Sequence, residues 1–274
     1  MIEPRYTVIP VAGITRRYRL LHITDLHMTD LAGDETPERV AVGTERHEKM
    51  FDWQGIRASQ RLYDYIDWAV KEKADMIVLT GDILDFPSEP NLYKLHDALQ
   101  AGKIPYFYVL GNHDWTYLDH WQSPDQRALY RPRLVDLCDG NADFHYTEFP
   151  DLILAGFDNG EECFSEEQCR ALDMLQKKGK PIILLCHVPF TSPTLDETVT
   201  NVWHRNISLG ETGIVKGETL AFLDKMTGKG TNVRAVICGH VHFFHEDQIR
   251  ETIPQYISGV ASEGNCRIID LLPV

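Results

Sequence analysis

Six short apolar runs that alternate with segments of helical spacing constrain the fold of this chain more than any other sequence feature. The runs are rich in Val, Ile, Leu and Tyr, as is typical of strands that are buried on both faces. We therefore predict strands over residues 18–24, 75–81, 104–111, 151–157, 181–187 and 233–240.

The segments between these strands carry apolar residues on one face of a helix. In residues 59–73, the side chains of Leu62, Ile66 and Val70 share a face and the charged residues lie opposite. Similar spacing predicts helices over residues 59–73, 91–103, 165–180 and 216–230. Because strands and helices alternate, we predict an α/β protein.

The C-terminal part and two long connections complete the predicted organisation. Residues 255–260 and 265–271 resemble strands and have little helix around them, which predicts a second sheet packed on the first. Residues 28–57 and 188–215 fit no regular element and are predicted to be long loops. Since the chain has no internal repeat and no Pro-, Gly- and Ser-rich linker, we predict a single domain over residues 1–274 with insertions at about 28–57 and 188–215.

Charge, hydropathy and cysteine usage disfavour several classes of protein. Lys and Arg number 27 against 41 Asp and Glu, and the net charge of −14 disfavours binding along a nucleic-acid polymer. No apolar run reaches about 18 residues, and the N-terminus does not resemble a secretory signal, so we expect no membrane span and a cytoplasmic location. None of the six cysteines lies in a C-x-x-C pair, which indicates reduced structural thiols.

Side chains that can bind metal ions follow five of the six predicted strands. In open α/β sheets, ligands bind outside the carboxyl ends of the strands, so these side chains are expected to meet at one edge. Each of them alone has an ordinary explanation as a turn, a cap or a packed residue, and only the combination indicates a site. The candidates are Asp25, His27, Asp82, Asp85, Asn112, His113, Asp114, His187, His240 and His242.

The spacing and chemistry of these residues indicate a transition-metal site. Residues two apart in an extended segment point the same way, so both members of D-x-H and of H-x-H can reach one site. Gly81, Gly111 and Gly239 permit a sharp turn directly after a strand. Carboxylate, amide and imidazole donors without thiolate suit Mn, Fe, Co, Ni or Zn, whereas the many nitrogen donors disfavour calcium.

The ordered motifs D-x-H, G-D-x-x-D, G-N-H-D, a single H and G-H-x-H resemble those of the calcineurin-like metallophosphoesterase family. They span residues 25–242, and no metal-binding position is missing. The resemblance implies an α/β fold with a two-sheet β-sandwich flanked by helices, and a hydrolase with a dinuclear metal site. Asp82 would bridge the two ions. Asp25, His27 and His242 would complete one site, and Asn112, His187 and His240 the other.

The same resemblance implies hydrolysis of a phosphoester by a metal-bound hydroxide that attacks phosphorus in line. His113 would stand beside the leaving-group oxygen as a general acid or a positive stabiliser. Asp85 would orient His113, with a helix N-cap as the alternative role, and Asp114 is expected to be a turn residue. The two divalent or trivalent ions are expected to be Mn or Fe, with Zn, Co and Ni as alternatives.

The motifs predict the reaction class more sharply than the substrate. The leading hypothesis is a hydrolase of small phosphomonoesters or phosphodiesters. The alternatives are a cyclic-nucleotide phosphodiesterase or nuclease on the same site, a protein phosphatase, or a non-catalytic interaction scaffold. We expect specificity to come from residues 28–57, 115–130 and 188–215, where Trp203, His204 and Arg205 lie; Arg205 is either a phosphate contact or a solvated side chain. The sequence does not indicate an oligomeric state.

Overall fold

Two mixed β-sheets face each other in the computed structural model, which describes residues 2–48, 52–210 and 215–274. The first sheet contains β1 (Glu3–Val11), β2 (Tyr18–Ile23), β3 (Met76–Thr80), β4 (Tyr106–Val109) and β11 (Asn265–Pro273), in the order β1-β11-β2-β3-β4. The second contains β5 (Phe144–Glu148), β6 (Ile153–Phe157), β7 (Ile182–Leu185), β8 (Val233–Cys238), β9 (His245–Ile249) and β10 (Ile253–Ile257), in the order β5-β6-β7-β8-β10-β9.

Parallel pairing dominates the centre of each sheet. In the first sheet, β2, β3 and β4 are parallel to one another, and β11 is antiparallel to β2. In the second sheet, β6, β7, β8 and β10 are parallel, and β5 and β9 are antiparallel edge strands. Because β2, β3 and β4 run parallel to one another, as do β7 and β8, the loops that follow these strands emerge at the carboxyl edges of the sheets.

Helices connect these strands and cover the outer faces of the sheets. The helices of the described residues are α1 (Pro37–Arg46), α2 (Ala58–Lys71), α3 (Glu89–Ala101), α4 (Pro124–Tyr130), α5 (Glu166–Gln176), α6 (Pro193–Trp203) and α7 (Gly217–Thr227). Short 3₁₀ helices lie at Trp53–Gly55, Leu118–His120, Arg131–Cys138 and Ala261–Glu263. No helix among the described residues is long and apolar enough to cross a membrane.

The apolar core has three layers, because both faces of each central strand are buried. Leu20 of β2 and Ile183 of β7 belong to the layer between the two sheets. Leu21, the neighbour of Leu20, points the opposite way and packs with Leu62 of α2 under the helices of the first sheet. An equivalent layer lies between the second sheet and its helices. Burial of each such side chain contributes roughly 1.5–3 kcal/mol.

The six predicted strands and four predicted helices are confirmed, but the predicted origin of the second sheet is wrong. The C-terminal strands do not form that sheet by themselves. Instead, β10 pairs with β8, and β11 inserts between β1 and β2 of the first sheet. Strands β5 to β8 already supply the second sheet, so the C-terminal strands extend one sheet and complete the other.

The prediction that residues 28–57 and 188–215 lack regular elements is also wrong, since they contain α1 and α6. Thr36 caps α1 by accepting a hydrogen bond from the Arg39 backbone N–H, and Ser192 caps α6 in the same way. Each cap is followed by proline at the first helical position, where its fixed φ suits a helix start. Both segments therefore contain a helix-start signal, a capping Thr or Ser followed by Pro. The helices were not predicted because neither segment has a long apolar face.

Candidate metal centre

The carboxyl ends of five strands converge where the two sheets meet. These strands are β2, β3 and β4 of the first sheet and β7 and β8 of the second. His187, which follows β7, joins the sheets because its Nδ1 donates to the carbonyl oxygen of Thr80 at the end of β3, at 2.7 Å. The seven predicted ligands all follow these strand ends: Asp25, His27, Asp82, Asn112, His187, His240 and His242.

Asp25, His27 and His242 form one group of candidate metal donors. Asp25 Oδ1 lies 3.3 Å from His242 Nε2 and 3.9 Å from His27 Nε2. The two imidazole Nε2 atoms are 3.1 Å apart. The other carboxylate oxygen, Asp25 Oδ2, accepts hydrogen bonds from Thr24 Oγ1 at 2.7 Å and from the His240 backbone N–H at 2.9 Å. Oδ1 is therefore the oxygen that this group can offer to a cation.

Asp82, His187 and His240 form a second group of donors beside the first. Asp82 Oδ2 lies 3.1 Å from His187 Nε2 and 3.9 Å from His27 Nε2. It therefore stands between a histidine of the second group and a histidine of the first. His240 Nδ1 lies 3.1 Å from His187 Nε2. Asp82 Oδ2 is thus within 4 Å of a histidine from each group.

Five of the seven predicted ligands have left-handed backbone conformations. Positive φ is uncommon for residues other than glycine, costs roughly 1 kcal/mol or more for each residue and clusters at functional sites. Here it turns each side chain back toward the cluster directly after a strand. The residues are Asp25 (φ 54°), His27 (φ 50°), Asp82 (φ 52°), His240 (φ 72°) and His242 (φ 65°).

Glycines let the ligand loops pack against one another. A Cβ on Gly239 would overlap with Thr24 Oγ1 and lie 2.5 Å from Asp25 Oδ2. A Cβ on Gly111 would overlap with Asp82 Oδ1. Both positions therefore require glycine for close approach, as the sequence predicted.

Asp85 anchors the first group from behind. Its Oδ1 lies 2.9 Å from His27 Nδ1, which directs His27 Nε2 toward the cluster. Arg46 of α1 binds both oxygens of Asp85 through its guanidinium group. Asp85 Oδ1 is also 3.4 Å from His113 Nδ1. The carboxylate is thus shared between two histidines. The alternative role as a helix N-cap is wrong, because Ser88 caps α3.

Asp114 is more than a turn residue, because its buried carboxylate ties two ligand loops together. It accepts hydrogen bonds from the backbone N–H groups of Gly111 at 2.6 Å, Leu84 at 2.9 Å and Asp82 at 3.0 Å. Burial and the nearby Asp82 raise the pKa of Asp114 to about 7. These contacts hold the loop after β3 against the loop after β4.

Burial and charge set the protonation of the donors. Burial acts to raise the pKa of Asp82, but the adjacent His187 and His113 hold it well below its usual range. Burial lowers the pKa of His27 to about 4 and that of His240 to about 3. For His187, attraction to Asp82 and Asp25 outweighs burial and raises the pKa to about 10. Burial also acts to raise the pKa of Asp25, but His242 and His187 hold it below its usual range, so both carboxylates are anionic.

The cluster fits metal ions on a second, independent criterion. Among the described residues, three of its buried polar atoms have no hydrogen-bond partner: Asp25 Oδ1, Asn112 Oδ1 and His240 Nε2. A buried polar atom without a partner costs roughly 1–3 kcal/mol. Each of these atoms belongs to a predicted ligand, and a cation would satisfy lone pairs that no protein donor reaches.

A cavity of about 570 Å³ opens onto the cluster, and an unbroken row of aromatic rings runs along it. The ring centroids of Trp121 and His113 are 4.8 Å apart, and those of His113 and His27 are 4.9 Å apart. His27 and His242 follow at 5.0 Å, and His242 and Trp203 at 5.3 Å. All four contacts are edge-on. The two tryptophans therefore close the two ends of a row of three histidines.

Each of the three segments in which we expected specificity to lie contributes residues to the wall of the cavity. Arg46 comes from residues 28–57, Trp121 from residues 115–130, and Arg205 from residues 188–215. The sequence singled out Arg205 and Trp203 but gave no reason to select Arg46 or Trp121. His22 lies outside the cluster, because it is buried between the hydroxyl groups of Thr80 and Ser258 at 2.7 and 2.8 Å.

Comparison with known proteins gives one family and several relatives. The family model described as calcineurin-like phosphoesterase matches residues 18–244. A relative described as a probable cyclic nucleotide phosphodiesterase from Moraxella catarrhalis (strain BBH18) is 27% identical over 201 residues. This match covers 68% of the present chain but only 65% of the relative, less than two thirds of its length.

Two solved structures share the two-sheet architecture. A dimetal phosphatase from Danio rerio has a TM-score of 0.57 at 14% identity and covers 91% of this chain and 89% of its own. A purple acid phosphatase from seeds of yellow lupin (Lupinus luteus) has a TM-score of 0.55 at 12% identity, covering 94% of this chain and 46% of its own. These similarities confirm the predicted fold, two sheets flanked by helices.

Proposed function

Because the chain belongs to the calcineurin-like phosphoesterase family, we propose that it hydrolyses small phosphoesters at a site that holds two metal ions. Support comes chiefly from one observation: two groups of donors lie side by side, with Asp82 Oδ2 between His187 and His27. The unpartnered atoms of Asp25, Asn112 and His240 lie in the same cluster.

The ligand assignment follows the two groups. Asp25, His27 and His242 would hold one ion, and Asn112, His187 and His240 the other, with Asp82 shared. When bound, the ions would neutralise phosphate oxygens and lower the pKa of a coordinated water. The donor set favours Mn or Fe, and Zn, Co and Ni remain alternatives.

His113 is the residue we propose to act on the leaving group. Its Nδ1 donates to the backbone carbonyl oxygen of Asp85 at 3.1 Å and lies 3.4 Å from the carboxylate, and these contacts fix the orientation of the ring. The opposite nitrogen, Nε2, would then give its proton to the departing oxygen. Asp85 would keep the ring in this orientation while it also holds His27.

A cyclic-nucleotide phosphodiesterase is the second candidate, because the Moraxella relative carries that description. A nuclease is less well supported, since the net charge of −14 disfavours a polymeric phosphate backbone. A non-catalytic scaffold is opposed by the presence of His113 and of all seven candidate ligands. A single domain and a cytoplasmic location remain predictions from the sequence.

Elemental analysis combined with turnover assays tests this proposal. We expect about two ions per chain after Mn²⁺ loading, and hydrolysis of p-nitrophenyl phosphate or bis-p-nitrophenyl phosphate. The preferred compound distinguishes a monoesterase from a diesterase, and cyclic AMP tests the second candidate directly. Absence of both metal and turnover with every divalent ion tried would refute the proposal.

A further inference from the structure

Trp121 has an environment that ordinary surface packing does not explain. Its side chain is large and apolar, yet it is 43% exposed and lines the same cavity as the donor cluster. It meets His113 edge-on, with the ring centroids 4.8 Å apart. An exposed aromatic ring beside the proposed proton donor stands where the alcohol part of a phosphoester would leave.

The loop around Trp121 is fixed on both sides of the ring. The backbone N–H of Gln122 donates to Thr116 Oγ1 at 2.9 Å, and the Gln122 side chain donates to the Gly160 carbonyl oxygen at 3.2 Å. The Ser123 backbone N–H donates to the carbonyl oxygen of His120 at 3.1 Å. The backbone that carries the indole is therefore restrained before a ligand arrives, which limits the entropy lost on binding.

Trp203, at the other end of the ring row, differs from Trp121 in its contacts. Its Nε1 donates to the Val241 carbonyl oxygen at 3.0 Å, and its ring packs edge-on against His242. Trp203 thus supports the loop that carries two proposed ligands, and it lies away from His113. Trp203 therefore has a structural role. Trp121 is the tryptophan beside His113, where the leaving group would lie.

We propose that Trp121 is a stacking platform for a flat aromatic group on the alcohol side of the substrate. This inference rests on the proposed function, since it takes His113 as the donor to the leaving oxygen. Two substrate types share the required chemistry: nucleotides, in which a base is carried on the sugar, and aryl esters, in which the ring carries the oxygen. Stacking of a base on an aromatic side chain strengthens binding about 5- to 150-fold.

Binding of matched probes to the Mn²⁺-loaded full chain tests the platform. AMP and ribose 5-phosphate differ by a base, and phenyl phosphate and cyclohexyl phosphate differ in the flatness of the ring. We expect the aromatic member of at least one pair to bind roughly 5- to 150-fold more tightly. In Trp121→Ala the preference should fall to about twofold or less, and Trp121→Phe should retain much of it.

Two controls make the result specific. Trp53 is 50% exposed in a 3₁₀ helix outside the cavity, so Trp53→Ala should leave both preferences unchanged. Inorganic phosphate should bind wild type and Trp121→Ala equally, which shows that the variant keeps an intact centre. A preference that survives in Trp121→Ala, or no preference in a wild type that binds phosphate, would overturn the platform. No phosphate binding and no turnover in loaded wild type would overturn the proposed function itself.

Discussion

At the scale of single residues, the candidate centre concentrates two costs that most of the chain avoids. Five proposed ligands, among them Asp25 and Asp82, have positive φ, and three buried donor atoms lack a partner among the described residues. Each of these features is unfavourable by roughly 1 kcal/mol or more without compensation. Metal binding would offset both the backbone strain and the missing hydrogen bonds. This explains why the two features occur in the same cluster.

Replacement of His113 by alanine is expected to separate catalysis from metal binding. His113 belongs to neither of the two groups to which we assign the ions, but it groups with His27 and Asp85 and is held beside the cluster by Asp85. We expect turnover to fall about 10²- to 10⁴-fold while the variant keeps about two ions per chain. His120→Ala, an exposed histidine of the neighbouring 3₁₀ helix, is the matched control and should retain activity. Unchanged turnover in His113→Ala would remove His113 from the mechanism.

Sequence reasoning identified the candidate ligands because their signals are local, and it missed residues whose contacts are with distant parts of the chain. D-x-H and G-H-x-H directly after apolar runs identify a strand end and its donors within a few residues. Arg46 binds Asp85, which lies 39 residues further along the chain. The part played by Trp121 depends on a cavity wall that only the folded chain creates. No local sequence pattern around Arg46 or Trp121 indicates these contacts.

At the scale of elements, the predicted strands have a local sequence signal, and strand β1, which was not predicted, depends on a distant partner. Strands β2 and β3 are apolar on both faces and were recognised by composition. Strand β1 is an edge strand with Pro4 near its start, Pro10 near its end and exposed Tyr6 and Val8 between them. An edge strand tolerates proline and polar positions because one side needs no ladder hydrogen bonds. Its pairing with β11 is a contact between the two ends of the chain.

Helix α1, which lies in the predicted insertion at residues 28–57, contacts the candidate centre through Arg46. Arg46, in its last turn, grips Asp85, which in turn orients His27 and His113. We expect Arg46→Ala to lower metal affinity or kcat about 10- to 100-fold, the usual effect of losing a group that orients a ligand. Arg46→Lys should recover only part of this, because lysine cannot bind both carboxylate oxygens as a planar fork.

The control for Arg46 lies on the same helix. Arg39 contacts Asp119 at 3.2 Å and stacks on Tyr117, with 3.7 Å from the guanidinium carbon to the ring centroid. Arg39→Ala should therefore weaken the docking of α1 without touching Asp85. Steady-state kinetics and Mn²⁺ titration of both variants distinguish the two effects. Equal losses in Arg39→Ala and Arg46→Ala would mean that α1 acts only as a whole.

A stacked pair between β4 and β5 makes the joint between the two sheets sensitive to acid. His145 of β5 stacks on Phe107 of β4 with ring centroids 4.3 Å apart, and burial lowers its pKa to about 4. The unfolded chain binds a proton near pH 6.5, so the free energy of unfolding falls as pH drops from about 6.5 to about 4, by up to about 3 kcal/mol. Urea titrations at several pH values should show a smaller decline in His145→Phe. An identical decline in both proteins would contradict this origin.

At the scale of the whole molecule, the two sheets share one buried layer and one candidate centre. Tyr18 and Phe107 of the first sheet pack with Leu154 and Ile237 of the second. Donors from both sheets meet in the centre, where His187 bonds to Thr80. Loss of either sheet would therefore expose apolar surface of the other and disperse the ligands. This coupling predicts that the two sheets unfold together.

Calorimetry with and without metal tests that coupling. We expect one unfolding transition for the full chain in Mn²⁺, and one transition at lower temperature after chelation with EDTA. An ion present at 100 times its Kd stabilises the folded state by about 2.7 kcal/mol, so a shift of roughly 5–10 °C is expected. Asp82→Asn, which alters the shared carboxylate, should unfold at a temperature that barely responds to Mn²⁺. Two resolved transitions, only one of them sensitive to metal, would show that the sheets are separate units and that the single-domain prediction is wrong.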